Sequence, residues 1–292
     1  MKNFILGTDW WSDCDDCVAL RILLRAHKKG AIKLKGIIIN ACMDDSVASI
    51  DAFMKDEAVT DIPVGIDLGA TDYPGKLTYQ KILAPFSNKT NKDAEDAVKL
   101  YRKILAESTE KVEIIEIGFL QVVAALLKSK PDEISDKTGI ELVREKVSKF
   151  WVMAGKWDED NGSEHNFALN ERSRMGGYEF CKLCPVPVTF LGWEIGKDVV
   201  TGSNLLTQDV LHKVLVAHGS ESGRLSWDPM LVLMAVIGDE VKSGYDVVTG
   251  FATVDAETGN NHFRVAKDGL HKYVVKKFDN SYYVDKINEI IK

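Results

Sequence analysis

The stretch Phe4-Ile5-Leu6-Gly7-Thr8-Asp9-Trp10-Trp11-Ser12-Asp13-Cys14-Asp15-Asp16-Cys17-Val18-Ala19-Leu20-Arg21-Ile22-Leu23-Leu24 decides how this chain is read. Phe4–Leu6 reads as a short buried strand, and Val18–Leu24 carries apolar positions at helical spacing. Between them stand four carboxylates within eight residues: Asp9, Asp13, Asp15 and Asp16. A strand that ends in acids and passes into a helix places those acids at the carboxyl edge of a sheet. Open α/β folds bind their ligands there. Like charges this close repel one another, so the physical expectation is a cation that offsets them.

The rest of the chain repeats the strand-then-helix alternation. Strands are expected at Leu34–Ile39, Val64–Ile66, Val112–Ile115, Lys149–Met153, Val186–Leu191 and Asp246–Thr249. Helical spacing is found over residues 17–28, 46–57, 92–108, 119–128, 139–147, 170–182, 203–216 and 228–238. This alternation predicts an α/β fold, a mostly parallel open sheet with helices on both faces. After Gly244 the pattern changes to short strands, with Glu257-Thr258-Gly259-Asn260-Asn261 as a hairpin turn, so a small antiparallel appendage is expected near the C-terminus. No repeat or linker divides the 292 residues, and one domain is the simplest organisation.

Composition narrows the function. A net charge of −7 and no long basic run argue against a nucleic-acid partner. No apolar run approaches the roughly 20 residues of a membrane span, and the apolar part of Met1–Leu6 is short for a signal peptide. Five cysteines, an odd number, suit a reducing cytoplasm better than a disulfide framework. Cys181 and Cys184 form a lone C-x-x-C with no second pair, which reads as the end of a helix with a buried thiol.

An EF-hand loop is excluded, because its glycine and terminal glutamate are missing at the required spacing. A phosphatase of haloacid-dehalogenase type also opens on an acidic strand end, but wants Asp-x-Asp where this chain has Asp9-Trp10-Trp11. Three further segments carry chemistry: Trp151–Gly155 followed by Asn161–Asn170, Ser226-Trp227-Asp228-Pro229 at a helix start, and Val112–Gly118 leading into Phe119-Leu120-Gln121.

Taken in order, these segments resemble the inosine–uridine-preferring nucleoside hydrolase family. That family opens on an Asp-x-Asp-Pro-Gly-x-Asp-Asp loop, to which some branches add two residues before the closing pair. Here Asp9 matches the second acid and Asp15-Asp16 the closing pair; Gly118, Leu120 and Ala124 match its "ATGPLTNIA" segment, Met153-Ala154-Gly155 its "MGG", Glu164-His165-Asn166 its "EFN" and Trp227-Asp228-Pro229 its "HDP". The match spans residues 4 to about 238.

The resemblance implies a Ca²⁺ held by Asp9, Asp16, Asp228 and the main-chain carbonyl of Gln121, with Asp9 as the catalytic base. It implies that Asp15 accepts the ribose 2′- and 3′-hydroxyls, that Asn161, Glu164 and Asn166 hold the far side of the sugar, and that Met153 packs beneath it. Asn40 is a further candidate for the 2′-hydroxyl, with Asp44 and Asp45 as competitors. The implied activity is hydrolysis of ribonucleosides to free base and ribose, purines slightly favoured. The implied partners are a small nucleoside or ribosyl substrate and further copies of the chain, as a dimer or tetramer. A ribosyl-binding protein with little or no hydrolysis is the alternative.

The departures are specific. The first acid of the motif is Gly7, its Pro-Gly is Trp10-Trp11, and Asp13 has no counterpart. The family's histidine at the leaving group is Trp227, which could stack on a base instead. Trp10, Trp11, Trp157 and Trp193 are further stacking candidates, His165 replaces a phenylalanine, and Glu194 follows a strand at the same edge.

Overall fold

The computed structural model describes residues 1–292. Twelve strands form: β1 (Lys2–Thr8), β2 (Ile32–Ile39), β3 (Val64–Ile66), β4 (Glu95–Asp96), β5 (Val112–Glu116), β6 (Val147–Met153), β7 (Val188–Leu191), β8 (Val200–Thr201), β9 (Arg224–Leu225), β10 (Tyr245–Val254), β11 (Asn261–Val265) and β12 (His271–Lys276). Ten of them make one sheet in the order β11-β10-β12-β7-β6-β5-β1-β2-β3-β4, while β8 and β9 pair by themselves. Every pairing from β4 to β7 is parallel, and β12 adds to β7 in parallel as well. The antiparallel part expected near the C-terminus is β10 with its two neighbours. It continues the main sheet instead of standing apart from it.

Alternation along the central strands feeds two cores. Phe4 and Leu6 face one apolar cluster and Ile5 the other, as a strand buried on both faces requires. The first cluster takes the inner faces of the helices Asp15–Lys28 and Trp227–Ile237, which pack against each other. The second takes the helices Ala97–Glu107, Gln121–Lys128 and Gly139–Lys146. Cys17, Cys181 and Cys184 are buried free thiols, and no disulfide forms. No helix is long and apolar enough to cross a membrane.

Beyond the short elements Tyr79–Leu83, β4, β8, β9 and Trp193–Gly196, two larger features differ from the sequence-based expectation. The helix Asn280–Ile291 closes over the first core through Tyr283, Ile287 and Ile291. β10 runs ten residues, joining what reads in the sequence as two short strands.

Candidate active site

The carboxyl ends of β1, β5, β6 and β7 lie along one edge of the sheet, and the segments that follow them, with Arg224, Trp227 and Asp228, enclose a cavity of about 280 Å³. That is near the lower end of small-molecule sites. Asp9, Asp15, Asp16 and Asp228 form its acidic wall. All four are buried. Asp15 and Asp16 open one helix and Asp228 opens another, and the packing of those helices brings the three together. Oxygens from Asp15, Asp16 and Asp228 lie within 4.8 Å of one another, and Asp9 is the neighbour of Asp16.

The hydrogen bonds to these acids come mostly from the main chain. The Thr8 hydroxyl and the Trp10 N–H (3.3 Å) donate to Asp16, the Trp11 N–H to Asp9 (3.2 Å), and the Asp228 N–H to Asp15 (3.2 Å). No lysine lines the cavity, and its one arginine, Arg224, is paired with Asp13 of the same lining. Burial first, and then the charges of Asp15 and Asp13, push the Asp9 carboxyl up to about 8. Burial and neighbouring carboxylates likewise raise Asp15, Asp16 and Asp228 well above the usual range. Three buried acids with converging oxygens, Asp9 beside Asp16 and no protein cation among them make a donor set that could hold a hard divalent ion. The positive ends of two helix dipoles assist by partly offsetting the same charges.

Met153, Glu164 and Asn166 line the same cavity. Glu164 caps a short helical turn: its Oε1 accepts from the Asn166 N–H at 2.9 Å and its Oε2 from the Gly155 N–H at 2.8 Å. Burial raises its carboxyl to about 7. Asn166 donates through Nδ2 to the Met153 carbonyl at 2.9 Å, which ties the turn to the end of β6. Trp227 and Trp193 form the third wall, joined by a bond from Trp227 Nε1 to the Trp193 carbonyl at 2.7 Å.

Three residues expected at the site lie outside the lining. Asn161 sits on the exposed surface in a left-handed turn (φ 60°), where its Oδ1 accepts from Asn260. Gln121 begins a helix, and its side chain bonds to the Asn40 carbonyl and to Tyr73. The residue of that segment that lines the cavity is Ile117, just past β5. Asn40 is fully buried behind the wall; its Nδ2 donates to Glu116 at 2.6 Å and its Oδ1 accepts from the Phe119 N–H at 3.1 Å. Glu194 is also outside, accepting from the Trp157 N–H.

The tryptophans separate cleanly. Trp10 adopts φ 44°, a conformation that a bulky residue seldom takes. This turn sends its ring into the core against Phe53 and Tyr79, with Nε1 donating to Ser49. Trp11 is thereby left facing the cavity, stacked on His165 at 5.5 Å. Gln80 holds the loop by donating to the carbonyls of both. Trp157 is core, packed against Phe190 and Tyr273.

Two residues of consequence carried no recognisable signal. Arg224 lines the cavity and forms a two-point ion pair with Asp13. Glu116 lies beneath it, buried between Asn40 and the Tyr101 hydroxyl (3.1 Å).

No protein-family model matches the sequence, and no curated protein matches it either. Solved structures do. The chain superposes over its whole length on the inosine–uridine preferring nucleoside hydrolase of Bacillus anthracis, with a TM-score of 0.72 at 14% identity, covering 99% of that chain. Over 99% of its length it matches the purine-preferring ribonucleoside hydrolase of Gardnerella vaginalis, with a TM-score of 0.72 at 16% identity, covering 98% of that chain. The type III effector protein XopQ, solved with adenosine diphosphate ribose, gives a TM-score of 0.69 at 15% identity over the whole of this chain and 93% of that one. The fold is therefore that of the nucleoside hydrolases, carried by a strongly diverged sequence.

Proposed function

We propose that the chain is a metal-dependent N-ribosyl hydrolase that cleaves ribonucleosides to free base and ribose. The observation that carries this reading is the buried convergence of Asp15, Asp16 and Asp228, with Asp9 beside them, at the carboxyl edge of a nucleoside hydrolase fold. Ca²⁺ suits this all-oxygen donor set. Asp9, Asp16 and Asp228 are joined by Asp15 as residues that would hold it. The main-chain oxygen assigned from sequence to Gln121 falls more naturally to Ile117, which lines the cavity. When bound, the ion neutralises the acids and makes water a better nucleophile.

The chain's own groups do the rest. Asp9, whose ionised form is favoured once a cation offsets its acidic neighbours, accepts a proton from the attacking water. Cleavage builds positive charge on the ribosyl carbon and ring oxygen, as in glycosidases, and the surrounding carboxylates stabilise it. Asp15, besides facing the ion, would accept ribose hydroxyls, with Glu164, Asn166 and Met153 of the same cavity lining holding the rest of the sugar. A ribosyl group is preferred to a deoxyribosyl one, because a missing hydroxyl leaves a buried acceptor unpaired. Trp227 and Trp193 supply flat apolar walls for a departing base, which slightly favours purines. Trp227 stands where related enzymes carry a histidine, so protonation of the base is left to solvent.

A second reading is a ribosyl-binding protein with weak or no turnover, favoured by the likeness to XopQ with its bound adenosine diphosphate ribose. Release of base and ribose from a panel of nucleosides, with and without chelator, separates the two. Turnover that chelation stops supports the hydrolase; retained binding of adenosine diphosphate ribose without turnover on any nucleoside supports the binding protein.

A further inference from the structure

Gly7 stands where the related loop motif has its first aspartate. In the structure Gly7 pairs with Glu116 across β1 and β5. A Cβ built on Gly7 would land on the Glu116 carboxylate. An aspartate side chain at position 7 would thus begin where the Glu116 side chain now ends. The two cannot occupy the space together. Glu116 is 1% exposed and held at both oxygens, by Asn40 Nδ2 at 2.6 Å and by the Tyr101 hydroxyl at 3.1 Å, so it has nowhere to retreat. Neighbouring strands lie about 4.8 Å apart, a gap that a glutamate side chain can span.

We propose that Glu116 supplies from β5 the carboxylate that the related motif takes from β1, and that it is a positioning residue acting on the acidic edge through Asn40. Asn40 is the clamp. Its N–H donates to the Thr8 carbonyl at 2.9 Å, its Oδ1 accepts the Phe119 N–H at 3.1 Å, and its own carbonyl is taken by Gln121. Gly118 fits against Asn40 and the Asp9 main chain with no room for a Cβ. Fixing Asn40 therefore fixes the exits of β1 and β5, where Asp9 and Ile117 leave for the cavity. The link from this clamp to a bound cation rests on the function proposed above; the exchange of one strand's carboxylate for the other's does not.

The test uses the full chain as wild type, Glu116→Ala, Glu116→Gln, Gly7→Asp and the double variant Gly7→Asp/Glu116→Ala. Thermal midpoint and calorimetric titration with Ca²⁺ are the readouts. Glu116→Ala is expected to lower the midpoint and weaken Ca²⁺ binding about ten- to a hundredfold, as removal of an outer-shell partner does. Gly7→Asp alone is expected to lower the midpoint, because two acids then contend for one space. The double variant is expected to recover most of both losses, and Glu116→Gln, which keeps an acceptor for Asn40, to stay close to wild type near pH 5, where the wild-type carboxyl is also uncharged. A double variant as impaired as the two single losses combined, or a Glu116→Ala protein with wild-type midpoint and affinity, overturns the proposal. Should a single variant not fold, a folded double variant is the supporting result and an unfolded one the contrary. If wild type itself shows no Ca²⁺ binding, the metal reading fails, while midpoint recovery in the double variant still decides the exchange.

Discussion

Asp13 and Arg224 lie 211 residues apart in sequence and meet at the cavity wall, where Arg224 Nε donates to Asp13 Oδ1 at 2.7 Å and Nη2 donates to Oδ2. The same guanidinium lies 5.6 Å from the centre of the Trp227 ring. Asp13 thus neutralises and aims the only cation lining the cavity. Arg224→Ala is expected to lower kcat/KM for nucleosides about ten- to hundredfold, the worth of a hydrogen-bonded charge. It also leaves Asp13 unpaired beside four other acids. The double variant Asp13→Ala/Arg224→Ala should therefore be more stable than Arg224→Ala alone. Thermal midpoints of the three proteins check this.

The acidic wall makes a prediction about metal removal. Without an ion, burial first, and then repulsion from Asp15 and Asp16, makes an ionised Asp228 costly to the fold. Asp228→Asn should raise the midpoint of chelator-treated protein, at about 2–4 °C per kcal/mol relieved, yet reduce the gain in midpoint on adding Ca²⁺. Thermal scans with chelator and with excess Ca²⁺ measure both. A variant that loses stability in chelator and keeps the full Ca²⁺ gain would contradict the account.

Glu116 gives a pH dependence of defined sign. Burial raises its carboxyl to about 8, against the lowering effects of Tyr101 and Asn40. The folded state therefore binds this proton more tightly than the unfolded state. The stabilisation is fully present below the ordinary glutamate range, near 4.5, and is lost as pH rises towards about 8. At roughly 1.4 kcal/mol per unit, the loss is of the order of several kcal/mol. Midpoints of wild type and Glu116→Gln measured from pH 5 to pH 8.5 should diverge, with wild type falling relative to the variant.

Trp227 tests the base side. Stacking of a base on an aromatic ring is worth about 1–3 kcal/mol, and purines offer the larger face. Trp227→Ala is expected to reduce kcat/KM for inosine or adenosine by at least about tenfold, and for uridine or cytidine by less. Equal losses on both classes would mean that the ring shapes the cavity without stacking on the base.

Much of this site is legible in the chain because its acids are local. Asp9, Asp15 and Asp16 follow a strand and open a helix, and that order alone puts them at a sheet edge. Glu164 and Asn166 are likewise close in sequence to Met153, whose strand fixes their place. What escapes is set by register and packing. Nothing in the sequence says that Trp10 turns through a positive φ and so leaves Trp11 to the cavity. Nor does it show that Gly7 and Glu116 face one another across two strands, which needs the β1–β5 register. Arg224 is invisible for a similar reason: its partner lies in the first loop, and only the packing of the two acidic helices brings the pair together. Asn161, which the resemblance implies at the sugar, stands in a left-handed turn on the exposed surface.

Metal-dependent hydrolysis of a ribonucleoside is measured most directly by mass spectrometry of the products formed from inosine in ¹⁸O-labelled water with Ca²⁺ present. The expected products are hypoxanthine without label and ribose carrying one ¹⁸O at C1, with formation abolished by chelation and reduced at least about a hundredfold in Asp9→Ala. Intact inosine after prolonged incubation of folded, Ca²⁺-loaded wild type, with no release from other ribonucleosides, would contradict it.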